Sequence, residues 1–536
     1  MPGRNRATRA PRDILKRETG PVIKDWGGKL PVALIYPNSY YLGMSNLGIH
    51  AIYRLLNDYD DVVCERFFWE GNKSGKNAPP LSIESGRPLS DFSVLAFSVS
   101  YELDYFNVVP VLKAAGIPEY AAEREERHPL VIAGGPCITA NPMPLSLFFD
   151  CLCIGEAEPI LPAMLPEISE GLNNPRDNLL KTLADLPGIY VPSQTPPKPI
   201  VRQWAKDLDD FPVNSVILTP DTELGDLFLI EVERGCQHGC RFCLVNCVFS
   251  PMRFREVNRL LERAEEGLKQ GKRIGLVGPA VTDHPDISAL LDGLLKSGAG
   301  ISISSLRINS LSGEIIEKLA RGNARTITVA PEAGSARLRR VINKDIPEDN
   351  ILRVADAVGK NGFRNLKLYF MIGLPAETDE DIEELVNLAL AVKARLDKHR
   401  GNTRLNLNFA PFVPKAGTPF QWLPMAPPGM LSGRIDALKK QLPARGIILK
   451  TESPAWSRIQ GVLSRGDSRL SRALAGIDRV SLSAWRKAVN EYELDTDYYI
   501  GQKWDTHQYL PWSIIETTTD TNKLRAEMDR ALKTKS

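Results

Sequence analysis

Glu231-Val-Glu-Arg-Gly-Cys236-Gln-His-Gly-Cys240-Arg-Phe-Cys243, entered from the apolar run Leu227 to Ile230, is the stretch on which the reading of this chain turns. Three cysteines at C-x3-C-x2-C spacing on a glycine-bearing loop suit three ligands of one iron–sulfur cluster, because thiolates are the usual protein ligands of such clusters. One iron is then left without a protein ligand. A structural zinc would instead want a fourth Cys or His at matching spacing. Cys247 extends the run to C-x3-C-x2-C-x3-C. It either closes the cluster or packs as a small apolar residue on the following helix, and the second reading is preferred.

On both sides of this loop the pattern is one of alternating strands and helices. Before it, strands are expected at 32–36, 62–68, 94–99, 130–133 and 151–154. Helices are expected near 107–115, 144–149 and 159–165, and an amphipathic one has its apolar face at Leu47, Ala51, Ile52, Leu55 and Leu56. Alternation of this kind predicts an open, Rossmann-like parallel sheet over residues 31–170, with ligands beyond the carboxyl ends of its strands. The loops at those ends carry Ser98, Ser100 and Tyr101, then Gly134, Gly135 and Pro136, then Glu156. Paired glycines let a large flat ligand approach the backbone, and serines offer short hydroxyl donors. After the loop, strands at 273–277, 301–307, 325–330, 365–372 and 404–411 continue the rhythm, so that six βα units predict a partial (β/α)6 barrel over 216–428 with its chemistry at the carboxyl edge.

Residues 1–30 read as a polar N-terminal arm, the proline-rich stretch 171–215 as a linker, and 429–536 as a helical C-terminal domain in which Trp456, Trp485, Trp504 and Trp512 either contact a substrate or pack a core. The whole is an α/β protein of several domains. Its 536 residues exceed one ordinary core, and a formal net charge of +2 gives no reason to expect nucleic acid or an anionic membrane as partner. The eight cysteines form no secreted disulfide pattern, and neither a signal peptide nor a spanning segment is evident. The expected compartment is the cytoplasm.

Within the barrel, alternation places Lys367 and Tyr369 on one face of the fifth strand and Asn406 and Asn408 on one face of the sixth. These are candidate cavity residues, and Lys367 and Tyr369 are the candidate catalytic pair. Either a substrate or an internal hydrogen-bond network would satisfy them.

Taken together, Ala133-Gly-Gly-Pro-Cys137, the cysteine loop, Ala330-Pro-Glu-Ala-Gly334, Lys367-Leu-Tyr-Phe-Met-Ile-Gly-Leu-Pro375 and Leu510-Pro-Trp512 resemble the radical S-adenosylmethionine (SAM) enzymes with a fused cobalamin-binding domain. The resemblance implies a [4Fe-4S] cluster on Cys236, Cys240 and Cys243, with the aromatic Phe242 beside the last ligand and SAM on the open iron. It implies SAM contacts from Glu332, Arg307, Arg339 and Gly373, while Gly278-Pro279-Ala280 lacks the carboxylate that the family often has there. It also implies cobalamin against Tyr41, Leu42, Gly43, Ser98, Ser100, Tyr101, Gly134, Gly135, Pro136 and Glu156. The histidine motif of many cobalamin proteins is missing and His50 has no matching Asp, so cobalt should lack a histidine ligand. Ala416-Gly417 departs from the Pro-His of related proteins. The implied activity is methylation of an unactivated carbon through methylcobalamin and a 5'-deoxyadenosyl radical, fed by a flavodoxin or ferredoxin. A peptide or protein is the implied substrate, and the domain order makes a glutamine of methyl-coenzyme M reductase the candidate. Alternatives are ring contraction, small-molecule methylation, or a non-catalytic cobalamin or redox sensor.

Overall fold

Strands β1 (Leu30–Tyr36), β2 (Val62–Phe68), β3 (Val94–Ser98), β4 (Leu130–Gly134), β5 (Cys151–Cys153) and β6 (Ile189–Tyr190) form one sheet in the order β2-β1-β3-β4-β5-β6. All pairs are parallel except β5 with β6. Apolar residues run almost unbroken through β1, β3 and β4, as a sheet covered on both faces demands. The chain moves from β1 to β2 on one side and to β3 on the other, so the carboxyl ends of β1 and β3 flank the switch point where such sheets bind ligands.

The computed structural model describes residues 10–71, 79–196, 198–399, 402–516 and 519–534. Two units divide the chain: Met1–Asp226 with Gly466–Leu494 and Leu510–Thr517, and Leu227–Arg465 with Asp495–Tyr509 and Thr518–Ser536.

Two expectations are corrected in the first unit, those for a helix face and for the linker. Helix Leu47–Asn57 buries Ile49, His50, Tyr53, Leu56 and Asn57, a face rotated from the one the apolar pattern marks. Polar groups bonded inside the unit explain the rotation: the Tyr53 hydroxyl meets the backbone of Val22, and the Asn57 amide brackets the backbone of Cys64. The described part of the arm is strapped down. Lys24 Nζ donates to the carbonyls of Asn57, Tyr59 and Val62, and Glu18 reaches the buried Arg66. The expected linker holds helix Arg176–Ala184, β6 and β7 (Ile200–Val201), all within this unit. Its prolines punctuate short elements.

The second unit opens with β8 (Leu227–Glu231), then the small hairpin partners β9 (Glu233–Arg234) and β10 (Arg253–Phe254). β11 (Arg273–Val277) and β12 (Ile301–Ile303) join β8 in a parallel sheet, order β12-β11-β8. β13 (Thr326–Glu332), β14 (Asn365–Ile372), β15 (Arg404–Pro411) and β16 (Ile448–Thr451) form another, also parallel. The parallel bridge Leu306–Val329 links the two sheets into a curved array. β16 is a seventh parallel strand inside the stretch expected to be helical.

The helices after it, Pro454–Arg465, Arg469–Ala475, Leu482–Glu491 and Thr521–Lys533, make no separate domain. Residues 466–494 belong to the first unit, where Trp485 meets Phe106 edge-on at 5.8 Å, the Ser471 hydroxyl donates to Pro144, and β17 (Ile515–Glu516) pairs with β7. Trp485, Trp504 and Trp512 are buried and pack as core residues, while Trp456 is half-buried. Among the described residues no helix is long and apolar enough to cross a membrane.

Candidate functional site

The cysteine loop leaves the carboxyl end of β8, turning at Gly235 (φ +85), where a Cβ would lie 2.5 Å from the Phe249 carbonyl. Its shape is held from outside. The Arg241 N–H donates to Ile342, its guanidinium donates to Arg340 and Val341 and pairs with Glu527 at 3.0 Å, and the Cys243 N–H donates to Cys240. Cys240 is buried, and Cys236, Phe242 and Cys243 are half-buried. Burial raises the Cys236 thiol, which Arg307 pulls back down, and pushes Cys243 up to about 12 against the pull of Lys344. Three crowded thiols ionise only beside positive charge, and a cluster's irons with Arg307 and Lys344 would provide it. Among the described residues, no three of His, Cys, Asp and Glu gather as they would around a single metal ion. Cys247 lies on the turn of helix Val245–Val248, buried, with its Sγ where Gly417 has no side chain: a Cβ there would sit 2.2 Å away.

The neighbouring strand ends supply several polar groups. Arg307 lies beside Asp283, which also pairs with His238 of the cysteine loop. Glu332 ends β13 after a bulge in a left-handed conformation (φ +69) and pairs with Lys344 at 3.0 Å. Lys344 escapes sequence reading because only the fold brings it to Cys243.

Arg339 is corrected. It is fully buried, and its guanidinium donates to the carbonyls of Ile346, Ala333 and Gly334. It shapes the Ala333–Gly334 turn and presents no donor to a ligand at the surface of the site. Gly373 (φ +80) donates its N–H to Glu377, whose carboxyl burial pushes up to about 7 while Arg434 holds it at 2.6 Å. A carboxylate from another strand lies beside Gly278-Pro279-Ala280: Glu233 packs against Gly278 and accepts from the Ala280 N–H.

In the first unit the candidate cofactor residues gather at one sheet edge. Tyr41 (40% exposed), Leu42 (41%) and Tyr101 (42%) present large side chains there, while Ser98 is buried, paired with Gly134. Ser100 accepts from the Asn46 amide. Pro136 opens helix Pro136–Ala140. Two glycines are needed for packing: a Cβ on Gly43 would strike Phe68, and one on Gly135 (φ +112) would lie 2.6 Å from the Val99 carbonyl. Bulk at Gly135 therefore deforms the loop itself before it touches any ligand. Glu156 is buried and accepts from the Ala205 N–H, which makes it a brace between segments and removes it from the exposed edge. His50 is buried, pushed down to about 4 by desolvation, and bonded to Met44 and Val216, so it has no nitrogen to offer a metal.

Asp104, missed in the sequence, accepts from Asn38 at 2.6 Å just beyond the carboxyl end of β1, and burial pushes its carboxyl up to about 6. A carboxyl whose folded pKa is raised holds its proton longer in the folded state, so its contribution falls as pH rises from about 4 to about 6, by about 3 kcal/mol. Asp104→Asn should gain stability relative to the parent across that window, read from urea unfolding at pH 4 and pH 7. A difference between the two proteins that does not change with pH would refute this.

The sequence family described as "Radical SAM proteins, N-terminal" matches residues 48–192, and the "Radical SAM superfamily" matches residues 230–389. An uncharacterised protein of Methanocaldococcus jannaschii is 34% identical over 455 residues, spanning 83% of this chain and 90% of that one. The radical S-adenosylmethionine methyltransferase TsrM from Kitasatospora setae, solved with cobalamin and a [4Fe-4S] cluster, aligns with TM-score 0.52 at 12% identity, covering 87% of this chain and 98% of that one. The cobalamin-dependent S-adenosylmethionine radical enzyme OxsB, solved with aqua-cobalamin, aligns with TM-score 0.50 at 13% identity over 88% of this chain and 71% of that one. At these identities the likeness to the two enzymes is one of fold.

Proposed function

The chain belongs to the radical SAM superfamily, and on that premise we propose that it is a cobalamin-dependent methyltransferase acting on an unactivated carbon. The observation that carries this reading is the pairing, in one chain, of a three-cysteine loop at a parallel-strand edge with a second sheet whose own carboxyl edge exposes Tyr41, Leu42 and Tyr101 beside tightly packed glycines. One cofactor alone would leave half of the chain without a role.

In this reading Cys236, Cys240 and Cys243 hold a [4Fe-4S] cluster, and Phe242 lies beside it. Glu332, Lys344 and Arg307 hold and orient the amino-acid end of SAM, and the Gly373 turn, braced by Glu377 and Arg434, receives its adenosine end. Tyr41, Leu42, Gly43, Ser98, Ser100, Tyr101, Gly134, Gly135 and Pro136 would hold cobalamin, and His50, bonded to Met44 and Val216, would offer it no nitrogen. When bound, the cluster supplies the electron that cleaves SAM to a 5'-deoxyadenosyl radical, and cobalamin supplies the methyl carrier. The chain's residues position these groups and exclude water. A flavodoxin or ferredoxin would supply electrons. A peptide or protein substrate is supported by the polar face of β14 and β15, since three of the four C-terminal tryptophans, Trp485, Trp504 and Trp512, are core.

With the anaerobically reconstituted protein and deuterated-methyl SAM, S-adenosylhomocysteine should appear only when reduced cobalamin is present. With substrate it should match 5'-deoxyadenosine in amount, and the product should carry three deuterons. Release of 5'-deoxyadenosine with no S-adenosylhomocysteine would rule out methyl transfer in favour of another radical reaction such as ring contraction.

A further inference from the structure

The face of β13 to β16 that carries Lys367 and Tyr369 is polar, where a barrel interior is ordinarily packed with branched apolar side chains. Strand register builds two rows across it: Thr328, Lys367 and Asn406, then Tyr369, Asn408 and Lys450. The opposite face, through Leu366, Leu368, Phe370, Leu407 and Phe409, is buried. Neighbouring polar groups had the opportunity to satisfy one another, and most do not. Among the described residues Lys367, Tyr369 and Lys450 have no hydrogen-bond or ion-pair partner, and Asn408 Oδ1 is buried without one. Tyr369 is 41% exposed although β14 is paired on both sides. Asn406 is the exception, its amide donating to Asn365 and to the Arg404 carbonyl, and no such network reaches Lys367, Tyr369 or Lys450.

The charges on this face are also unbalanced. The two rows hold two lysines and no carboxylate; the nearest acid along β13, Glu332, is engaged by Lys344. Lys367 is half-buried and Lys450 exposed; a half-buried ammonium such as that of Lys367 is costly without a counter-ion, and an anionic ligand would remove that cost. The cations are lysines, which act as point charges, and they stand among tyrosine, threonine and asparagine. No arginine fork, the usual partner of phosphate, lies on either row. Lys367 lies five residues before the carboxyl end of β14, about 16 Å at strand rise, so it anchors a ligand whose reacting carbon is higher, near the cysteine loop's edge.

We infer that the substrate of this enzyme carries a carboxylate, received by Lys367 with Thr328 and supported by Lys450 and Tyr369 from the next row. Lys367 is then an anchoring residue and takes no part in the chemistry, and the neutral amide of a glutamine side chain is a poor match for this wall. The inference rests on the proposed methyl transfer only in calling the ligand a substrate.

The test is calorimetric titration of the cluster-loaded protein, without SAM, using glutarate, its neutral analogue glutaramide, pyrophosphate and a hexaglutamate peptide. Glutarate or the peptide should bind saturably and glutaramide should not. Lys367→Gln should weaken that binding about tenfold or more, and Lys450→Gln less. Lys367→Arg should keep most of it with an unchanged melting temperature. Tighter binding of the peptide places the carboxylate on a peptide substrate; tighter binding of glutarate places it on a free acid. Undiminished glutarate binding by Lys367→Gln, binding of pyrophosphate alone, or binding of none of the anions overturns the inference. Carboxylate binding lost in Lys367→Gln, in a protein that releases no cobalamin-dependent S-adenosylhomocysteine, would retire the methyl-transfer reading and leave this one standing.

Discussion

Replacing Cys236, Cys240 and Cys243 together with alanine will abolish both the iron–sulfur absorption and the cleavage of SAM, while Cys247→Ala will retain both. The three residues share one loop whose backbone is held by Arg241, Gly235 and the Ile342 carbonyl, independently of any metal. Loss of the thiols should therefore remove the cluster without unfolding the loop, and circular dichroism should show a near-parent spectrum. Cys247 has its sulfur turned to Gly417, in a space too small for any larger neighbour. Its replacement should cost little more than a small packing defect. A full iron content in the triple variant, or a cluster lost with Cys247 alone, would contradict this assignment.

A comparably large effect is expected far from the cysteines. Arg66 is fully buried between Glu18 and Glu84, bonded to Glu18 at 2.7 and 2.8 Å and to Glu84 at 2.6 Å, with Tyr40 donating to Glu18 as well. Burial raises the Glu84 carboxyl, and Arg66 is the group that draws it back down. Arg66→Met leaves two carboxylates in the interior with no cation and should cost about 3–5 kcal/mol in urea unfolding. It should also release the arm, because Glu18 is one of its fastenings. Replacing all three charges at once, as Glu18→Gln, Arg66→Met and Glu84→Gln, should recover much of the loss, since no unpaired charge then remains. If the single and triple variants are equally unstable, the damage is packing and the electrostatic account is wrong.

Much of the fold was legible because its signals are local. Strands β1 to β5, β11 and β12 are short, mostly apolar runs and β13 to β15 alternate apolar with polar residues, all bounded by turn-forming residues, and the cysteine loop is contiguous, so spacing alone defines its donor set. The errors fall where distant contacts outweigh local pattern. Helix Leu47–Asn57 turned its polar Asn57 and His50 inward because backbone partners waited at Cys64, Met44 and Val216. β16 was hidden because Ile448 to Thr451 makes a strand only by pairing with β15. The stretch 171–215, dense in proline, is nonetheless built into the first sheet through β6.

From the sequence alone came the cysteine triad, the two runs of βα alternation and the carboxyl-edge loops, since each depends on residues near one another in the chain. The tertiary structure alone decided which charges meet. It enclosed Arg339 against carbonyls and brought Lys344 to Glu332, it set Glu233 beside Gly278, and it left Lys367 and Tyr369 without partners on the polar face. The reason is that a charged side chain takes its meaning from what desolvates and opposes it. Those groups lie tens of residues away, where periodicity carries no information.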